Sequence, residues 1–147
     1  MKKYLVFMFF TIVLGSVFGK FLYDKTIDVS ALGQEDVYFL EVMSSKNLDE
    51  LENDSKDIEP KLITKDGNRY VCYIGISRNI DNINKMKSQY SENAYVPVES
   101  MRKVSNAEFL NNLEQFDQLL LKTNTKDEIA AVNSVILSSY EEMVLNK

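Results

Sequence analysis

The stretch Asp66-Gly67-Asn68-Arg69-Tyr70-Val71-Cys72-Tyr73-Ile74-Gly75-Ile76 decides the fold. Asp66-Gly67-Asn68 is turn chemistry. Arg69 to Ile76 is rich in β-branched and aromatic residues and free of proline, which reads as a well-buried strand. Ser77-Arg78-Asn79 interrupts it, and the period then changes. Ile80, Ile83, Met86 or Lys87, and Tyr90 recur at helical spacing, with Asp81, Asn82, Asn84, Lys85 and Ser88 between them. The centre of the chain is therefore a turn, a strand, a glycine and an amphipathic helix.

Working outward, Lys61 to Lys65 is a brief strand that the Asp66-Gly67-Asn68 turn folds back as a hairpin. Upstream, Val37-Tyr38-Phe39-Leu40-Glu41-Val42-Met43 is a further strand. Glu41 stands among apolar neighbours, so one face of that strand should reach water or a partner. Between these two strands, Asn47 with Glu50 three residues later has the form of a capping box. Leu48, Leu51 and Ile58 give a short helix its apolar edge, and Pro60 ends it. Downstream of the central helix, Ala94 to Glu99 reads as a strand, with Pro97 at an edge or a bulge because it lacks a backbone donor. The order strand, helix, strand, strand, helix, strand predicts an α+β fold. It is a βαββαβ unit, a four-stranded antiparallel sheet with two helices on one face in a ferredoxin- or RNP-like layout.

The C-terminal segment has a different character. Ser105 and Glu108 match a capping box, and Phe109, Leu110, Leu113, Phe116, Leu119 and Leu120 keep helical spacing. Thr123-Asn124-Thr125 breaks this helix, and Thr125 with Glu128 repeats the capping pattern. Ile129, Val132, Ile136, Tyr140 and Met143 then line a second helix. The pair reads as an antiparallel hairpin that docks on the sheet domain or self-associates.

At the other end, Lys2 and Lys3 precede a run from Tyr4 to Gly19 without a charge. With Lys20 snorkelling and Tyr23 at the interface, Tyr4 to Tyr23 approaches the ~20 residues that span a bilayer. The lysines favour a cytoplasmic N-terminus and a single pass, with the rest of the chain outside the cytoplasm. A cleaved signal peptide is the rival, although Val17-Phe18-Gly19 matches a small-x-small site poorly. The expected organisation is an anchor over 1–23, a linker over 24–36, the sheet domain over 37–104 and the helical hairpin over 105–147.

The chain has no histidine, one cysteine and a net charge of −5. The missing histidine removes Ser-His-Asp and Cys-His catalysis. One thiol cannot close an internal disulfide. The acidic balance, with no basic stripe, argues against nucleic acid. The pairs Asp49/Glu50, Asp127/Glu128 and Glu141/Glu142 read as helix caps and solvated faces rather than glycosidase carboxylates. No enzyme activity, metal or cofactor is expected.

Alternation along the central strand separates Tyr70, Cys72 and Ile74 from Arg69, Val71 and Tyr73. We place the first set beneath the helices, with Cys72 as a small buried hydrophobe. Tyr38, Leu40 and Val42 of the first strand join that set. Phe39, Glu41, Val71 and Tyr73 then share the other face, with Arg69 at its rim; that face is either open or covered by the C-terminal hairpin, in which case Phe39 and Tyr73 are ordinary core. Aromatic rings beside a polar acceptor suit a sugar, whose C–H groups pack on the ring while its hydroxyls bond the acceptor.

Behind a single anchor, this order of elements resembles the SPOR (sporulation-related repeat) family, in particular membrane-anchored SPOR-like proteins of Gram-positive-type bacteria. The match covers Val37 to Val104 and is best at Tyr70-Val71-Cys72-Tyr73-Ile74-Gly75. Tyr38-Phe39-Leu40-Glu41-Val42 looks like the family's opening strand. The chain departs from the family where Glu41 replaces a frequent glutamine, Met43 a glycine and Ser45 an aromatic. The resemblance implies non-catalytic binding of peptidoglycan glycan strands, favouring strands stripped of stem peptides, which localises the protein in the envelope during division or sporulation. The expected glycan site is Phe39, Glu41, Arg69, Val71 and Tyr73. The alternative is an envelope protein–protein module without glycan binding, which includes self-association through the C-terminal helices.

Overall fold

The computed structural model describes residues 33–90 and 95–146. The elements are β1 (Glu35–Ser45), α1 (Leu48–Asp54), β2 (Leu62–Asp66), β3 (Arg69–Ser77), α2 (Ile80–Ser88), β4 (Val98–Val104), α3 (Ala107–Lys122) and α4 (Lys126–Tyr140). A π-helical turn, Glu141–Leu145, follows. The fold is α+β, and the four strands form one sheet in the order β2-β3-β1-β4, antiparallel throughout. The expected anchor over 1–23 and most of the expected linker lie outside the described residues. Among the described residues no helix is long and apolar enough to cross a membrane.

The central stretch folds as its chemistry dictates. Asp66 pairs with Arg69 across a two-residue loop, and Gly67 there takes φ +62°, a left-handed conformation that suits glycine. Asn79 caps α2 by accepting from the Asp81 amide at 2.8 Å. Ile83 and Met86 of α2 are buried, so Met86 rather than Lys87 continues the apolar stripe. Gly75 lets this helix approach. A Cβ there would lie 2.9 Å from Met86 Sδ, so any side chain would displace the helix or the methionine.

Several boundaries differ from those read in the sequence. β1 begins at Glu35, inside the expected linker, because Val37 already faces the core. The last strand runs from Val98 to Val104 rather than from Ala94 to Glu99, and Pro97 precedes it; Ala94 itself lies outside the described residues. Met101-Arg102-Lys103 resembles a loop in sequence, yet an edge strand needs little apolar surface. Asn47 caps α1 through the Asp49 amide at 3.0 Å, while Glu50 accepts from Ser45 Oγ at 2.5 Å and does not close a capping box. At α3 the cap is Asn106, accepting from the Phe109 amide at 2.9 Å, and not Ser105. The Thr125–Glu128 capping box of α4 forms as expected.

Of the two alternatives for the second face of the sheet, the structure has the covered one. Phe39 and Leu40 are neighbours on one strand and point to opposite faces. Both are 0 % exposed, so both faces are covered. Leu40 and Gly75 lie under Met86 of α2, and Cys72 lies against Ser55, which ends α1. On the opposite face, the ring of Tyr140 from α4 sits on Phe39. The hairpin is thus no separate body, and Leu32–Lys147 is one compact unit. Two register shifts, around Glu41, leave Ile74 and Val42 without a partner across the β1–β3 ladder. The Ile74 carbonyl accepts from the Asn133 amide of α4, so a bulged carbonyl is satisfied by the covering helix.

Candidate functional site

The structure brings the five expected site residues together and then closes most of them off. Phe39 and Tyr73 meet edge to face, with ring centroids 5.2 Å apart. Phe39 continues to Tyr140, and Tyr140 to Phe109 of α3, each at 5.2 Å in the same T-shaped manner. Such pairs contribute ~0.5–1.5 kcal/mol beyond the area they bury. Phe39, Val71 and Tyr73 are at most 1 % exposed. The open platform expected for a sugar is therefore filled by the chain's own aromatic residues. The physical reason is the stripe of Ile129, Val132, Ile136 and Tyr140 on α4, which needs an apolar partner. Phe39 and Tyr73 supply one beside Tyr140, at ~1.5–3 kcal/mol for each large side chain taken out of water.

Only the polar members keep access to solvent. Glu41 and Arg69 form an ion pair at 3.6 Å with 20 % and 43 % of their side chains exposed. Arg69 also donates to Ser44 Oγ at 3.1 Å and lies 3.9 Å from Asp66. Asp66 in turn accepts from Arg102 at 2.7 Å. The hydrogen bond and charge of Arg102 hold the Asp66 carboxyl below its ordinary range, against a smaller opposing effect of burial. The Arg102 guanidinium lies 5.2 Å from the Tyr73 ring centroid and 5.8 Å from that of Phe39, within cation–π range. Burial pushes the Tyr73 phenol up to about 12, with Arg102 opposing. Sequence reasoning missed Arg102 because it assigned no strand to that residue. Its place opposite Val37 in the ladder is what carries it onto the aromatic face.

A second polar centre joins α3 to the start of α2. Asp117 accepts from Ser77 Oγ, from the Arg78 amide at 2.8 Å and from Asn82 Nδ2 at 3.1 Å. Burial raises its pKa, and these donors oppose the rise. Nearby, Lys85 reaches the C-terminal end of α3, donating to the carbonyls of Leu120, Leu121 and Thr123 at 2.7, 3.3 and 3.0 Å. A cation there complements the helix dipole as well as the free carbonyls. Asp117 carried a signal in sequence, since it continues the Leu110, Leu113, Leu120 stripe where an apolar residue is expected. Asn133 has the same signature among Ile129, Val132 and Ile136.

A shallow cavity of about 420 Å³ lies beside Asp117, lined by Tyr38, Arg78, Asn79, Ile80, Glu114 and Gln118. Arg78 in its wall is held by Glu35 at 2.6 Å and Glu114 at 3.5 Å. The Asp117 carboxylate is occupied by its three donors and is not poised as a base. Among the described residues no group of three or more acidic or thiol side chains is placed to hold a metal. Asp49 and Glu50 open α1, Asp127 and Glu128 open α4, and Glu141 and Glu142 are exposed on the final turn. Cys72 is wholly buried, and burial pushes its thiol up to about 11. Compared with family models, curated proteins and solved structures, the chain matches none of them.

Proposed function

We propose that this chain is a non-catalytic interaction module of the cell envelope that engages protein rather than glycan. An N-terminal anchor carries it, with the folded domain outside the cytoplasm. The observation behind this is the seating of Tyr140 on Phe39, which places the would-be sugar platform inside the core. The uncharged run from Tyr4 to Gly19 behind Lys2 and Lys3 supports the anchor. The strand order β2-β3-β1-β4 within a βαββαβ unit supports a ferredoxin-like domain of SPOR-like layout. The test is co-sedimentation of the full chain, in detergent micelles, with purified sacculi before and after amidase treatment. The chain should stay in the supernatant in both cases.

A second reading, binding of peptidoglycan glycan strands during division or sporulation, is favoured by the convergence of Phe39, Glu41, Arg69, Val71 and Tyr73 on one sheet face. It requires the hairpin to leave that face. Retention on amidase-treated sacculi, abolished by Glu41→Ala or Arg69→Ala at the exposed rim, would establish glycan binding and overturn the protein-only reading.

A further inference from the structure

β4 is an edge strand, paired with β1 on one side only. Two of its residues, Val98 and Met101 on opposite faces of the sheet, are large, apolar and 61 % and 58 % exposed, and Val96 just before the strand is 78 % exposed. An edge of this kind is a template for pairing with another strand unless charges or bulges prevent it. We propose that β4 pairs antiparallel with β4 of a second copy, about a two-fold axis through Met101, joining the two sheets into one.

The charges of β4 select this partner and this register. In a continuous sheet, residues facing each other across the axis share a face, so the axis must pass through a residue and not between two. An axis at Ser100 sets Val98 against Arg102 and Glu99 against Met101, which pairs no charges. An axis at Arg102 sets two guanidinium groups against each other. An axis at Met101 sets Met101 on Met101, Glu99 on Lys103 of the other copy, and Val98 on Val104. Two-fold symmetry then repeats the Glu99–Lys103 pair, and the apolar contact sits between the two ion pairs. Glu99 is held by Lys87 of its own chain through Oε2 at 2.9 Å, so it would join a three-membered network. The edge is short, and the area it can bury falls below that of a standard stable interface, so the association should be weak and concentration-dependent.

This deepens the reading of an interaction module by naming a partner, and it rests on that reading only for the partner's being a protein. Binding to sacculi would leave it untouched, and a strictly monomeric chain would overturn it without reviving glycan binding. The experiment is cysteine cross-linking of the full chain in detergent micelles under mild oxidation, with a concentration series. The chain's one native cysteine is buried, so the background is low. Met101→Cys should form a covalent dimer, because the axis brings the two Cα atoms within about 4.5–5.5 Å. Lys103→Cys should not, because its two copies would stand about 13 Å apart along the strands. Without added cysteine, Lys103→Glu should weaken self-association roughly tenfold by facing like charges twice per dimer. Adding Glu99→Lys to it should restore the original strength. Equal cross-linking by Met101→Cys and Lys103→Cys, or a double charge swap that fails to rescue, would overturn the proposal.

Discussion

Tyr73 shows how one side chain can be misassigned when only its face of the strand is known. Its ring is held between Phe39 and the guanidinium of Arg102, while its hydroxyl has no hydrogen-bond partner among the described residues. Tyr73→Ala should therefore cost ~3–5 kcal/mol in urea unfolding, as truncation of a buried aromatic does. Tyr73→Phe should change stability by less than ~1 kcal/mol, because it discards only the unpaired hydroxyl. A Tyr73→Ala variant as stable as the parent would show that the ring is not part of the core. Cys72 behaves as the sequence suggested, a small hydrophobe under the helices. With its thiol pushed up from 9.0 to about 11, its thiolate fraction at neutral pH falls about a hundredfold, and burial denies access to what remains. Iodoacetamide should label Cys72 at the rate of unfolding and not at the rate of a free thiol, which mass spectrometry of quenched samples can follow.

Between elements, two carboxylates respond to acid in opposite senses. Asp66 ties the β2–β3 hairpin to β4 through Arg102, which holds its carboxyl below the ordinary value of 3.8. The unfolded chain binds that proton more tightly. The stabilisation is therefore present at neutral pH and is lost as pH falls through the folded-state value. Asp117 ties α3 to β3 and α2, and burial raises its pKa. The folded chain binds that proton more tightly, so its contribution is fullest in acid and is lost as pH rises through the raised value. Asp66→Asn should accordingly destabilise the protein more at pH 7 than at pH 2.5, read as the difference in urea midpoints. An equal loss at both pH values would show that the Asp66–Arg102 charge pair does not set the acid response. Both residues act where elements meet, so the sequence marks Asp66 only as a turn residue and Asp117 only as a break in an apolar stripe, and names neither one's partner.

For the whole molecule, the sequence was most legible where periodicity was strong. Ile83 and Met86 of α2, the Thr125–Glu128 box and the stripes of both C-terminal helices could be read directly. The burial of the second sheet face stayed one of two alternatives, because Phe39 and Leu40 are apolar on both sides of β1 while Glu41 suggested water. Glu41 in fact sits at the margin of the covered patch, where it reaches Arg69. The candidate residues were correctly gathered on one face, but what lies over them depends on α4, whose docking no local pattern specifies. Tyr140 follows Phe39 by about a hundred residues in the chain, and contacts of such separation form late in folding. During synthesis, Phe39 therefore leaves the ribosome well before the helix that will shelter it. For that interval the growing chain exposes the side of its sheet that the finished protein hides, and it is then a natural client for a chaperone.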